Sequence, residues 1–142
     1  MYCGKSLDEI RSDLSPLKQY WVVLYGSCVR GDSTPRSDID VAVITQIKDR
    51  KENLKIFFEI LGKVKPIYDI RVFELLPIHI KMEVIENYIV VFGDTLEISE
   101  YFYFYRKIWN DVKHRYRENQ FKSIQEKLEG IRRLKRLLNK IK

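Results

Sequence analysis

The chain is poor in cysteine, proline and glycine, and it has no long hydrophobic run. Its 142 residues include two cysteines, four prolines and six glycines. Two cysteines are too few for a disulfide scaffold and lack the spacing of a metal site, so Cys3 and Cys28 are expected to be free thiols. No apolar run is long enough to span a membrane, and no signal peptide is visible. These absences predict a cytoplasmic protein with one compact domain that does not enter membranes.

The charge of the chain is distributed unevenly. Residues 1–105 contain 13 lysines and arginines against 16 aspartates and glutamates, whereas residues 106–142 contain 13 against 4. The basic C-terminal segment alternates charged and apolar residues at helical spacing. Such a helix could present a solvated face, contact nucleic acid or dock on an acidic partner. A nucleic-acid contact would not need the apolar stripe, so packing on a partner helix or on a second copy is favoured.

Hydrophobic periodicity predicts alternating helices and strands. The predicted helices cover 6–19, 49–62, 77–86 and most of 99–142, and the predicted strands cover 20–25, 38–45, 66–73 and 88–92. In the second helix, Leu54, Phe57, Phe58 and Leu61 are expected to face inward. The pattern indicates an α/β (α+β) fold, a small mixed sheet covered by helices. We therefore expect a domain over residues 1–98 and a helical extension over 99–142.

The most informative segment is GSCVRGDSTPRSDIDVAV, which follows the first predicted strand. Gly26 and Ser27 stand where that strand ends, and a turn there can hold a phosphate through its amides and the serine hydroxyl. Ten residues later, Asp38 and Asp40 alternate with Ile39 along the next strand, so both carboxylates lie on one face. Two carboxylates so placed repel each other unless a hard cation such as Mg²⁺ lies between them. Read without the turn, the two aspartates would only end a loop and begin an edge strand.

This arrangement resembles the signature of the DNA polymerase β-like nucleotidyltransferases, and within them the minimal nucleotidyltransferases, or MNT proteins. The signature covers residues 26–40, and the order of elements is similar from about residue 7 to residue 95. The resemblance implies a nucleotidyltransferase-like fold and a third carboxylate on a later strand, which matches Asp69. Asp69 is followed by Ile70 and Arg71, where an apolar run is commoner in the family.

The resemblance also implies roles for these residues. Gly26 and Ser27 would hold the β- and γ-phosphates of ATP, with Asp38 and Asp40 as magnesium ligands. Asp69 would complete the metal site or accept the proton of the attacking hydroxyl; otherwise it pairs with Arg71 or Lys65. Arg30 lies one turn after Ser27 and either returns to the phosphates or pairs with Asp32.

Family membership would make the chain a Mg²⁺-dependent enzyme that transfers AMP from ATP to a hydroxyl group. MNT proteins typically act as antitoxins that add AMP to a tyrosine of a HEPN toxin, and the small size of this chain agrees with that role. Two alternatives remain open at this stage. One is an aminoglycoside nucleotidyltransferase, although such enzymes carry a larger second domain for the drug. The other is a binding antitoxin without catalysis, for which the intact motif offers no support.

Overall fold

The computed structural model describes residues 2–31 and 38–141. Within these ranges the helices and strands alternate as expected. The helices are α1 (Leu7–Asp13), α2 (Ser27–Arg30), α3 (Arg50–Leu61), α4 (Ile78–Glu86) and α5 (Thr95–Ile141). The strands are β1 (Trp21–Tyr25), β2 (Ile39–Ile44), β3 (Tyr68–Val72) and β4 (Ile89–Phe92). The first predicted helix is shorter than expected, because Pro16 lies in a separate 3₁₀ turn at Ser15–Leu17.

The four strands form one mixed sheet in the order β3-β2-β1-β4. Strand β1 pairs antiparallel with β2 and with β4, and β2 pairs parallel with β3. Alternation along the strands divides the sheet into two faces. One face carries the core residues Val22, Leu24, Val41, Val43, Ile70 and Val72. The other face carries the aspartates of the motif, which confirms the predicted mixed sheet and the α+β fold.

Helices α1 and α3 cover the core face. Ile10 is fully buried from α1, and Ile60 is 2% exposed from α3. Helix α3 begins after Asp49, whose side chain accepts a hydrogen bond from the Lys51 amide, and ends at Gly62. The prediction that Phe58 and Leu61 face inward is wrong, because they are 69% and 46% exposed. Asn53 is buried there instead.

Asn53 can be buried because its polar groups find partners. Its amide donates to the Ile47 carbonyl at 2.7 Å, and its side-chain oxygen accepts from the Thr45 hydroxyl at 2.5 Å. The buried face of α3 therefore differs from the face that hydrophobicity alone predicts. A hydrogen-bonded polar side chain occupies part of it.

Asp13 fastens the N-terminal residues to β3. Its carboxylate accepts hydrogen bonds from the Tyr68 hydroxyl at 2.6 Å, from Lys5 Nζ at 2.9 Å and from Lys65 Nζ at 3.0 Å. These hydrogen bonds, first that of Tyr68, hold the pKa of Asp13 well below its usual value. The cluster therefore joins three segments that lie far apart in the sequence.

The first turns of α5 pack in the sheet domain. Ile98 is fully buried and Phe102 is 2% exposed. Phe102 lies against Phe73 with ring centroids 5.0 Å apart. The Tyr101 hydroxyl donates to Glu74 at 2.7 Å, and Glu74 also accepts from the Thr45 and Gln46 amides at 3.1 and 3.0 Å. The ring of Tyr101 meets Trp21 edge-on at 5.9 Å.

The chain divides into two compact units, Met1–Arg106 and Lys107–Lys142. The second unit contains the remaining length of α5. Within it, Trp109 contacts Tyr116 with ring centroids 5.6 Å apart. No helix in the part of the chain described by the structure is both long and apolar enough to cross a membrane.

The second unit exposes a row of apolar side chains, which we call the apolar stripe. Its members recur every three or four residues and are between 47% and 61% exposed: Phe121, Ile124, Leu128, Ile131, Leu134 and Leu138. Monomeric proteins rarely expose so continuous a row of apolar side chains, and such rows often mark a binding site.

Candidate active site

Gly26 forms the turn between β1 and the short helix α2. Its φ is 79°, a left-handed conformation that favours glycine. A Cβ atom at this position would overlap the carboxylate of Asp40. Position 26 therefore requires glycine for two reasons, its backbone conformation and the close approach of an acidic side chain. Ser27 follows as the first residue of α2, where the sequence predicted the phosphate-holding hydroxyl.

The pairing of β2 with β3 brings two of the three predicted carboxylates together. Asp40 lies directly opposite Asp69 in the parallel register, and Tyr25 lies opposite Asp40 on the other side. Adjacent strands are about 4.8 Å apart, so the three side chains form a row across one face of the sheet. Asp38 is exposed and immediately precedes β2, two residues before Asp40 on the same side.

The row is electrostatically crowded. Partial burial, followed by the negative charges of Asp69 and Asp38, raises the pKa of Asp40. Burial, followed by the negative charges of Asp40 and Asp69, raises the pKa of the Tyr25 hydroxyl to about 12. Both shifts have the direction expected where negative charges accumulate with too little solvent to screen them. This surface therefore favours a cation.

Oxygen ligands from carboxylates suit Mg²⁺, and the backbone positions of Asp38, Asp40 and Asp69 fit such an ion. Among the described residues, no three histidine, cysteine, aspartate or glutamate side chains are already gathered as a metal site. One reason is visible at Asp69, whose carboxylate lies 3.3 Å from Nε of Arg71. Asp40 and Asp69 therefore supply oxygen ligands on one face of the sheet, and a three-carboxylate magnesium site remains a prediction from the sequence.

The other candidate residues have distinct surroundings. Arg30 is the last residue of α2, and its positive charge partly opposes the raised pKa of Asp40. Its alternative partner Asp32 lies outside the described residues. Lys65, the other alternative partner of Asp69, instead binds Asp13 at 3.0 Å.

The expectation of free thiols is wrong. Cys3 and Cys28 form a disulfide with Cα atoms 5.5 Å apart, although 25 residues separate them in the sequence. Sγ of Cys28 also lies 3.5 Å from the carbonyl oxygen of Asp38. A count of cysteines cannot reveal this bond, because it depends on a fold that brings the N-terminal residues to α2. The bond anchors the motif helix beside the predicted metal ligands.

Sequence reasoning missed two residues of this face. Tyr25 was interpreted only as the end of a buried strand, and the exposed Glu83 of α4 was not considered. The negative charge of Glu83 contributes to the raised pKa of the Tyr25 hydroxyl. Tyr25 could have been found from the motif, since a hairpin that pairs β1 with β2 must place some β1 residue opposite Asp40. Glu83 carries no comparable signal, because its position depends on how α4 packs.

Comparisons with known proteins agree with this geometry. Residues 16–97 match the family model described as polymerase beta nucleotidyltransferase. The "Putative protein adenylyltransferase MJ1547" of Methanocaldococcus jannaschii is 50% identical over 111 residues, which are 78% of this chain and 86% of that protein.

Two solved structures share the fold at low sequence identity. A toxin–antitoxin crystal structure with AMP-PNP gives a TM-score of 0.52 at 16% identity and covers 73% of this chain and 93% of that one. A variant of the toxin–antitoxin MntA–HpeT gives 0.53 at 14% identity and covers 78% and 94%. The family match extends over more than half of the chain and includes the Gly26 turn, Asp40 and Asp69. The chain therefore belongs to the polymerase β-type nucleotidyltransferases, as its motif predicted.

Proposed function

We propose that this protein transfers AMP from ATP to a tyrosine of a HEPN-type toxin and thereby acts as its antitoxin. The observation that carries the proposal is the in-register pairing of Asp40 with Asp69 beside the Gly26 turn. Further support comes from the relative named as a protein adenylyltransferase. The two solved structures of similar fold are toxin–antitoxin structures, one of them with AMP-PNP.

In this proposal the Gly26 turn holds the terminal phosphates of ATP. Glycine allows the phosphates to approach the backbone, and the amides that follow and the Ser27 hydroxyl donate hydrogen bonds to them. Helix α2 has only four residues, so these local donors matter more than a helix dipole. Arg30 adds positive charge on the same side.

The carboxylates Asp38, Asp40 and Asp69 would hold Mg²⁺, which supplies charge neutralisation for the phosphates. In this proposal Asp69 either completes the metal site or takes the proton of the attacking hydroxyl. That oxygen forms a bond to the α-phosphorus while the bond from this phosphorus to the α,β-bridging oxygen breaks. Pyrophosphate leaves with the electron pair.

The apolar stripe supports a protein as the acceptor, and its surroundings indicate the partner's charge. At about 100° per residue, Lys127 and Lys135 fall within the stripe, whereas Glu126 and Glu129 fall on the opposite side of the helix. A second copy would bring these lysines together, and this disfavours self-association. We propose that the stripe docks on an acidic helical surface of the toxin, with a homo-oligomer or a nucleic-acid complex as the outcomes that would contradict it.

Labelled ATP tests the reaction. With Mg²⁺, this protein should transfer label to a purified HEPN-type toxin, and mass spectrometry should find AMP on a tyrosine of that toxin. The Asp40→Asn variant should lose at least about a hundred-fold in rate, because even indirect ligand supports contribute 10- to 100-fold. The matched control is Asp8→Asn, which removes an exposed carboxylate from α1.

Other results would identify the alternatives. Label on an added aminoglycoside would indicate a small-molecule nucleotidyltransferase. Inhibition of the toxin by Asp40→Asn without any label would indicate a binding antitoxin. Calorimetry of ATP binding with and without EDTA tests the metal, since equal affinity would contradict a magnesium site.

Docking is tested separately with two double variants. Leu128→Ser with Leu134→Ser should weaken toxin binding, whereas Lys122→Ser with Arg133→Ser, on the charged face, should change it less. ATP binding should be equal in both.

A further inference from the structure

Arg71 is a basic side chain on β3 that lies directly beside the carboxylate row. It follows Asp69 by two residues on the same face of the sheet and lies opposite Ala42 of β2. Its Nε is 3.3 Å from the Asp69 carboxylate, and its side chain is 54% exposed. An exposed ion pair of this kind contributes less than about 1 kcal/mol, so the guanidinium can change partners at little cost.

The order of the strands places Arg71 on the side of the site away from the phosphate turn. The Gly26 turn stands at the end of β1, Asp40 lies on the neighbouring β2, and Asp69 and Arg71 lie on β3. In phosphoryl transfer the attacking and leaving oxygens stand roughly in line, on opposite sides of the phosphorus. If pyrophosphate leaves toward Gly26, the acceptor hydroxyl enters from β3.

Strand β3 is also an edge of the described sheet, the side from which this geometry brings the acceptor. When Asp69 takes up the proton of the acceptor, it no longer neutralises Arg71, and the guanidinium needs another negative group nearby. The acceptor oxygen is such a group, because it gains negative charge as its proton leaves.

We propose that Arg71 is a catalytic residue that contacts the acceptor oxygen and stabilises its negative charge during AMP transfer. The inference rests on the proposed function, since it requires a hydroxyl acceptor on the β3 side. The acceptor oxygen bonds to the α-phosphorus, pyrophosphate leaves with the electron pair of the broken bond, and the proton passes to Asp69. Arg71 keeps its own proton throughout, as expected of a guanidinium.

The test compares Arg71→Met, Arg71→Lys and the control Lys65→Met in toxin labelling with ATP and Mg²⁺. Lys65 is a basic residue shortly before β3, and it binds Asp13 and not a residue of the carboxylate row. Arg71→Met should lower kcat about 10- to 100-fold. Removal of one donor from an oxyanion hole typically lowers kcat by about 100-fold or more, so the expected loss is at or below that range. Arg71→Lys should retain part of the wild-type kcat. In both variants KM for ATP should stay within about two-fold of the wild-type value, because ground-state nucleotide binding does not use Arg71.

The pH profile separates catalysis from a structural role. Without the guanidinium of Arg71, the acceptor phenol should ionise at higher pH. The rise of kcat with pH should therefore shift to higher pH in Arg71→Met and stay at the wild-type pH in Lys65→Met. A variant that keeps the wild-type kcat and pH profile would overturn the inference, as would a large rise in KM for ATP with kcat unchanged. If wild type labels the toxin in the same experiment, only the inference about Arg71 fails. If wild type labels no protein, both fail.

Discussion

Helix α5 passes through two environments within one continuous element. Near its start, Ile98 is fully buried and Phe102 is 2% exposed, whereas Phe121 further along is 61% exposed. Charge differs as well: residues 1–106 contain 14 lysines and arginines against 16 aspartates and glutamates, and residues 107–142 contain 12 against 4. The first part of the helix is stabilised by tertiary packing and the second by local helix preference, so one helix carries both a core segment and a free surface.

The largest expected effect on stability comes from a substitution in the buried first part of α5. Phe102→Ala removes a ring packed against Phe73 and Tyr88. It should lower the free energy of unfolding by about 3–5 kcal/mol, the usual loss for an aromatic core residue. Urea denaturation of the purified variant measures this loss, and a decrease below about 1 kcal/mol would mean that the ring is not part of the core.

A second change removes the covalent link within the same unit. Cys3→Ser opens the Cys3–Cys28 disulfide, which closes a loop of 25 residues. The expected loss is about 3 kcal/mol, because the unfolded chain regains the freedom that the bond restricted. Denaturation with and without a reductant provides the control: the reductant should destabilise wild type but leave Cys3→Ser unchanged.

The third change concerns the Asp13 cluster and its pH dependence. Asp13→Asn should lower stability by about 1–2 kcal/mol at neutral pH, since it removes the charge that three donors share. The folded-state pKa of Asp13 lies below its unfolded value of 3.8. The stabilisation is therefore complete well above that value and is lost as the pH falls through it toward the folded-state pKa.

Thermal unfolding across pH measures the difference between Asp13→Asn and wild type. The difference should shrink below about pH 4, near the unfolded-state pKa of aspartate. Asp8→Asn on the same helix should show no such trend, because Asp8 is 96% exposed. A difference that grows in acid would contradict the assignment.

The smallest expected effect sharpens the comparison most directly. Phe121→Ala is the same substitution as Phe102→Ala, made further along the same helix, and should change stability by less than about 0.5 kcal/mol. The same denaturation experiment measures it. A loss comparable to that of Phe102→Ala would show that the apolar stripe is already covered.

Local patterns predicted much of the fold. Asp49 and Gly62 mark the ends of α3 as the sequence indicated, and the strand before Gly26 and the strand that carries Asp40 are present. These features depend on caps, turns and periodicity, all of which lie within a few residues of one another. Helix α5 begins at Thr95, earlier than predicted, because Asp94 accepts a hydrogen bond from the Glu97 amide.

The features that sequence reasoning missed depend on distant contacts. The Cys3–Cys28 bond and the burial of Asn53 follow from how segments pack, and no local pattern indicates either. The candidate site shows the same division. Asp38 and Asp40 were found from their own spacing, whereas the direct pairing of Asp40 with Asp69 follows from a parallel register that the sequence does not specify.

The positions of the two tryptophans have a spectroscopic consequence. Trp21 lies against Tyr101 in the first unit, and Trp109 lies against Tyr116 in the second. The chain has no other tryptophan, so Trp21→Phe and Trp109→Phe each leave a single fluorophore in one unit. Emission from each variant would then follow the unfolding of one unit alone. The two units thus carry separate optical labels, Trp21 on β1 and Trp109 on α5, and the melting of each can be observed without adding a dye.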